Sequence, residues 1–246
     1  MSKDTDIKLH YIEKGTGSPL ILLHGNGEDS GYFVHQINHF LKEHCVIALD
    51  TRGHGKSPRG DKPFTIRQFA EDLHDFMDEQ EIEKADILGF SDGGNIALVF
   101  ALKYPGRVDR LILNGANLYG RGVKPSIQIP IIIGYHAACL FAGKSEAARK
   151  NAEMLGLMVN DPNLTPEELS ENRDPDFLRI PKLVIAGNRD MIKDEHTRLI
   201  YASLPNAQIR VMKGSHFIAK ENPEEFNRIV EEFLRSSERQ QDPDQM

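Results

Sequence analysis

The chain is poor in several features at once. It has two cysteines, Cys45 and Cys139, and no tryptophan among 246 residues. Two thiols cannot build a disulfide framework. A chain of this length needs none, because it can bury roughly 70–75% of the surface its unfolded form exposes. No dense basic run occurs: 30 Lys and Arg stand against 37 Asp and Glu, a net charge of −7. That balance disfavours nucleic-acid binding, which needs a clustered positive face. Met1 to Asp6 hold no apolar run, so no secretory leader is read there. A reducing cytoplasm is the expected compartment. Long apolar stretches are scarce too. The one uncharged stretch, Pro125 to Gly143, is interrupted by Gln128, Pro130, Gly134 and His136. A membrane span wants ~20 predominantly apolar residues, so this stretch reads as a lid-like or buried segment and no span is expected.

What is present is an alternation. Short apolar runs at Leu20–Leu23, Val46–Leu49, Ile87–Phe90, Leu111–Leu113, Leu183–Ala186 and Ile209–Met212 read as strands covered on both faces. Between them, Phe64–Glu79, Asn95–Tyr104 and Glu224–Arg235 carry helical periodicity. This spacing predicts a doubly wound, mostly parallel α/β sheet. The alternation fails from about Asn117 to Pro175. Residues 118–175 are therefore expected to form a small helical cap, inserted into a core made of residues 1–117 and 176–246. The polar tail from about Ser236 is expected to fray.

In open α/β sheets, sites form outside the carboxyl ends of the strands, and each apolar run here is followed within two residues by Gly, Asp, Asn or Ser. Gly89-Phe90-Ser91-Asp92-Gly93-Gly94 is a G-x-S-x-G between a strand and an apolar helix. Such a turn is tight enough to strain the serine backbone and to demand glycine at 89 and 93. It presents the Ser91 hydroxyl and sets the Asp92 N–H at a helix N-terminus, where an oxyanion can be held. The competing reading is an ordinary Gly-rich βα turn. Lys213-Gly214-Ser215-His216 follows the last strand and offers His216 as a base. Gly187-Asn188-Arg189-Asp190 offers Asp190 to hold the imidazole tautomer, with Asp194 as a rival farther from the strand end. His24-Gly25-Asn26-Gly27 supplies the Asn26 N–H as a second oxyanion donor, with His24 read as structural. Asp50 to Ser57 lacks the spacing of a phosphate loop and reads as a structural crossover.

These segments, taken in order, resemble the α/β-hydrolase fold family. The resemblance implies an eight-stranded, mostly parallel sheet flanked by helices, with a cap after the sixth strand. It implies Ser91 as nucleophile, His216 as base, Asp190 as orienting acid and the amides of Asn26 and Asp92 as the oxyanion hole, with no cofactor and no metal. The elbow itself is similar to that of valacyclovirase-like ester hydrolases, in which the acid after the serine is associated with a substrate amine. Phe90 stands where that group usually has Trp. Asp92 accordingly either favours a cationic substrate or caps local backbone donors. Phe90, Asp92, Tyr119, Tyr135 and Phe217 are the candidate substrate contacts, with Phe141, Met154 and Met158 as further lining residues of the insertion. His35 and His39 lack a third ligand and read as a solvated helix face. Cys45 and Cys139 read as packed thiols.

The expected activity is a cofactor-free serine hydrolase, foremost a carboxylic-ester hydrolase working through an acyl-enzyme on a small to medium, partly apolar ester. The alternatives are the same triad applied to C–C, amide or thioester bonds or to perhydrolysis, and a non-catalytic binding protein on this scaffold.

Overall fold

A computed structural model describes residues 6–241. The reading of Met1 to Thr5 lies outside the described residues, as does that of residues 242–246. Seven strands form one sheet: β1 (Tyr11–Lys14), β2 (Ser18–Leu23), β3 (His44–Leu49), β4 (Ala85–Phe90), β5 (Val108–Asn114), β6 (Lys182–Gly187) and β7 (Ala207–Met212). Their order is β1-β3-β2-β4-β5-β6-β7. Only β1 runs antiparallel, pairing Tyr11 with Leu49 and Lys14 with Val46.

Six of these strands are the apolar runs of the sequence. Their residues alternate between two cores, as a period of two requires. In β3, Ile47 and Leu49 enter one core, while Val46 and Ala48 enter the other. The first core is closed by α2 (Ile66–Glu79), α3 (Asp92–Lys103) and α8 (Asp194–Ser203). The second is closed by α1 (Val34–Phe40), α9 (Ile218–Glu221) and α10 (Pro223–Gln241). Helix α2 starts where the Thr65 hydroxyl accepts from the Gln68 N–H at 3.1 Å, an N-cap.

The expected eighth strand is absent among the described residues. Before Tyr11 the chain is drawn to polar partners and does not pair as a further strand. The Asp6 carboxylate takes two bonds from the Arg52 guanidinium, both 2.9 Å, and the His10 N–H donates to the Ser57 hydroxyl. The tail also differs from expectation, since α10 continues through Ser236 to Gln241.

Between β5 and β6 lie four helices: α4 (Pro125–Phe141), α5 (Glu146–Asn160), α6 (Pro166–Ser170) and α7 (Pro175–Arg179). Helices α4 and α5 pack closely because glycines meet there. A Cβ on Gly134 would stand 3.3 Å from Leu155, and one on Gly156 3.3 Å from the Tyr135 ring. The reading of the uncharged stretch as buried is corrected: within α4 only Gln128 is buried. Its inner face is spent on α5, and the rest of this uncharged helix is left in solvent. Cys139 is exposed for the same reason, against the expectation of a packed thiol. Cys45 is half-buried against the first core.

Candidate active site

The parallel register sets the strand ends side by side. Phe90 pairs with Asn114, Asn114 with Ile185, and Gly187 with Met212. The segments that follow these ends carry the candidate residues.

Ser91 occupies the turn from β4 into α3 with φ 54° and ψ −118°, a left-handed conformation costly for a residue with a side chain. The Ser91 N–H donates to the Asn114 carbonyl at 2.8 Å. The neighbouring glycines are steric necessities. A Cβ on Gly89 would run into the Gly93 carbonyl, and one on Gly93 into the Leu23 carbonyl. The Asp92 N–H lies in the first turn of α3, where a helix leaves its amides unpaired.

Asp190 follows β6 and His216 follows β7, and the fold joins them. His216 Nδ1 donates to Asp190 Oδ1 at 2.6 Å, and both groups are buried. The Ile192 N–H donates to the same oxygen at 2.9 Å, while Lys124 Nζ holds the Asp190 main-chain carbonyl at 2.6 Å. With Nδ1 carrying the proton, the lone pair sits on Nε2. That Nε2 is buried and without a hydrogen-bond partner, so the Ser91 hydroxyl is not bonded to it in this structure. Asp194 opens α8 and is exposed, so it does not compete.

Two further features beside His216 escaped the sequence reading. Gly115 (φ 64°) makes room for the imidazole: a Cβ there would lie 2.7 Å from Cε1 and 2.9 Å from Nδ1. The Phe90 ring stacks on Tyr32 at 4.4 Å and lies 4.9 Å from the His216 ring. Tyr32 Oη and Glu28 Oε2 are both buried without partners. Burial, reinforced by the charges of Glu28, Glu221 and Asp190, pushes the Tyr32 phenol up, and burial raises Glu28. No motif marks these two residues, because the stacking of Tyr32 on Phe90 and the nearness of Glu28 to His216 arise only in the fold.

Asn26 is held through its side chain. Its side-chain Nδ2 donates to Asp92 Oδ2 and to the Met154 carbonyl, each at 2.9 Å, tying the first loop to the elbow and to α5. Asp92 Oδ1 accepts from Asn95 Nδ2 at 3.2 Å. Burial raises the Asp92 carboxyl, opposed by these amides. Asp161, after α5, is pushed up to about 6 by burial and then by the Asp92 carboxylate.

Of the other candidate contacts, Phe217 is partly exposed with its ring 5.6 Å from both Phe90 and His216. Tyr119 and Tyr135 make no ring or hydrogen-bond contact with these residues. Tyr119 rests edge-on to His196 at 4.7 Å, lining a cavity of about 900 Å³ with Gln128 and Lys193, and Tyr135 packs on Gly156. Phe141 is exposed. The reason is geometric: α4 turns its aromatic residues toward α5 and solvent. His24 is structural, as expected, accepting the Thr51 N–H at 3.0 Å on Nε2. Asp50 anchors its crossover by accepting from the Ser30 and Lys56 amides. His39 stands 3.4 Å from Glu231 and holds no ligand set with His35.

Comparisons with known proteins agree with this fold. The family model of the alpha/beta hydrolase fold matches residues 18–128. Serine hydrolase BPHL of Homo sapiens is 28% identical over 258 residues, spanning 93% of this chain and 84% of its own. The 2-hydroxymuconate semialdehyde hydrolase of Pseudomonas putida is 28% identical over 264 residues, spanning 92% of this chain and 90% of its own. Among solved structures, a meta-cleavage product hydrolase from Pseudomonas fluorescens IP01 superposes with a TM-score of 0.73 at 25% identity, covering 94% of this chain and 95% of its own.

Proposed function

We propose that this chain, which has the α/β-hydrolase fold, is a serine hydrolase whose substrates are carboxylic esters. The observation that carries this reading is the pairing of a strained Ser91 with a buried His216 whose Nδ1 is held by Asp190 and whose Nε2 has no partner. An unpaired buried nitrogen costs free energy, a cost that calls for a role such as catalysis. In free enzymes such nucleophile–base contacts are often long and tighten when substrate binds.

Ser91 Oγ attacks the acyl carbon while His216 Nε2 takes its proton. Asp190 stabilises the imidazolium that forms and does not itself take the proton. The amides of Asn26 and Asp92 meet the developing oxyanion, and each such donor contributes ~3 kcal/mol to lowering the barrier. His216 then protonates the departing alkoxide. A water activated by the same imidazole hydrolyses the acyl-enzyme. Phe90 and Phe217 form the apolar wall beside the imidazole, which suits a small to medium, partly apolar ester.

One relative is named a 2-hydroxymuconate semialdehyde hydrolase and one similar structure a meta-cleavage product hydrolase, and C–C cleavage is the second reading. A panel of p-nitrophenyl esters set against a vinylogous diketone separates the two. The ester reading expects turnover of the esters only; turnover of the diketone alone overturns it. Asp92 acts as an anchor of the oxyanion loop, since amide groups take both of its oxygens. The Asp92→Asn variant is therefore expected to slow an amino ester and its N-acetyl analogue in equal proportion. A selective loss on the amino ester would assign Asp92 to a substrate cation.

A further inference from the structure

Helix α4 turns an uncharged, apolar stripe to solvent. Ile129 is 55% exposed, Ile133 65%, Leu140 76% and Phe141 55%. Their spacing of four and then seven residues puts the first three on one face. At 1.5 Å per residue, that face runs for roughly 16 Å along the surface. The exposed His136 interrupts the stripe between Ile133 and Leu140, and large exposed apolar side chains grouped in this way mark an interaction site. The charge around it reverses that of the molecule. Residues 121–150 carry five basic side chains (Arg121, Lys124, Lys144, Arg149 and Lys150) and one acid, Glu146, in a chain of net charge −7. Arg121 precedes the helix and Lys144 closes it, while the Lys124 ammonium is held by the Asp190 carbonyl.

We propose that α4 is a docking helix for an anionic lipid surface, lying in the plane of the interface with Ile129, Ile133, Leu140 and Phe141 buried among the acyl chains. An apolar helix face bracketed by cations is the pattern that binds such interfaces, through buried apolar area plus attraction to anionic headgroups. The charge also argues against the other occupant, a second copy. Two α4 helices packed parallel or antiparallel would set basic ends against basic ends, with Glu146 as the one acid in the segment to offset them. The helix is too short and too firmly packed on α5 to cross a bilayer, and among the described residues no helix is long and apolar enough to do so. The attachment is therefore peripheral and reversible.

The test is co-sedimentation of the full chain with vesicles of phosphatidylcholine, with and without about 30% phosphatidylglycerol, alongside sedimentation velocity without lipid. Expected are binding to the anionic vesicles, at least roughly tenfold weaker binding to pure phosphatidylcholine, and weakening by salt. The Ile133→Gln/Leu140→Gln variant should lose binding by roughly tenfold or more while keeping its circular dichroism spectrum and melting transition. A Lys144→Glu/Lys150→Glu variant, which leaves the stripe untouched, should lose binding as well. The proposal is overturned if wild type stays in the supernatant with both vesicle types. It is equally overturned if the glutamine variant binds as wild type does, or if the chain is a dimer that the glutamine variant dissolves. None of these readouts depends on ester turnover, so they stand apart from the proposed chemistry.

Discussion

His216 has a place to sit because residue 115 has no side chain. A methyl group there would meet the imidazole at 2.7 Å, and the backbone at φ 64° disfavours any other residue. Gly115→Ala is therefore expected to displace the ring from Asp190 and lower kcat/KM by roughly 10²-fold, the scale of a misplacement near 1 Å. The fold should persist, because the collision is with one side chain. Steady-state kinetics together with a melting curve check this. An unchanged kcat/KM would show that the imidazole tolerates the methyl. At this scale the sequence was legible where a residue type announces its chemistry. Ser91, Asp190 and His216 each follow an apolar run and stand in a recognisable setting. Gly115, Glu28 and Tyr32 carry no such signal. Their importance lies in what they approach, Gly115 the imidazole and Tyr32 the Phe90 ring, and that is settled by the pairing of β5, β6 and β7 for the first and of β2 with β4 for the second.

At the scale of elements, the loop after β3 is held by a buried guanidinium. Arg52 donates two bonds to Asp72 on α2, at 2.7 and 2.6 Å, and two more to Asp6. The cation holds the Asp6 carboxyl well below the usual range. Removing one partner of a buried pair leaves the other charge uncompensated, so Arg52→Met is expected to destabilise the chain by about 3–5 kcal/mol. Urea unfolding measures this, and a shift under about 1 kcal/mol would place the pair among those with little net effect. The five inner strands were legible because continuous apolar runs are what burial on both faces demands, and β7, a partly exposed edge strand, through the apolar residues of its run. Strand β1 was not: it is four residues long, lies at an edge, and has a half-exposed Tyr-Ile-Glu-Lys pattern. The solvent exposure of α4 was hidden for a related reason. An uncharged helix reads as buried, and only the fold shows that α5 covers one side of it.

Across the whole molecule, protonation links stability to pH with opposing signs. Burial pushes His54 and His196 down to about 4, with the charge of His24 adding to the effect at His54. Unfolded, both titrate near 6.5. Between those values the unfolded chain binds protons that the folded chain refuses, so stability is present above pH 6.5 and falls as the pH drops toward 4. Asp161 works the other way. Its folded value near 6 exceeds the unfolded 3.8, so it adds stability as pH falls through 6. His196→Gln is expected to make the loss of thermal stability between pH 7 and 4.5 shallower, and Asp161→Asn to make it steeper. Scanning calorimetry at the two pH values tests both; the reverse order would contradict these assignments.

The central claim is that Ser91 is a nucleophile activated by His216. The most direct measurement is fluorophosphonate labelling of the folded protein, followed by intact mass and peptide mapping. The account predicts one adduct, on Ser91, absent in Ser91→Ala and slowed at least roughly 10³-fold in His216→Ala. An unlabelled wild type, or an adduct on any other residue, would contradict it.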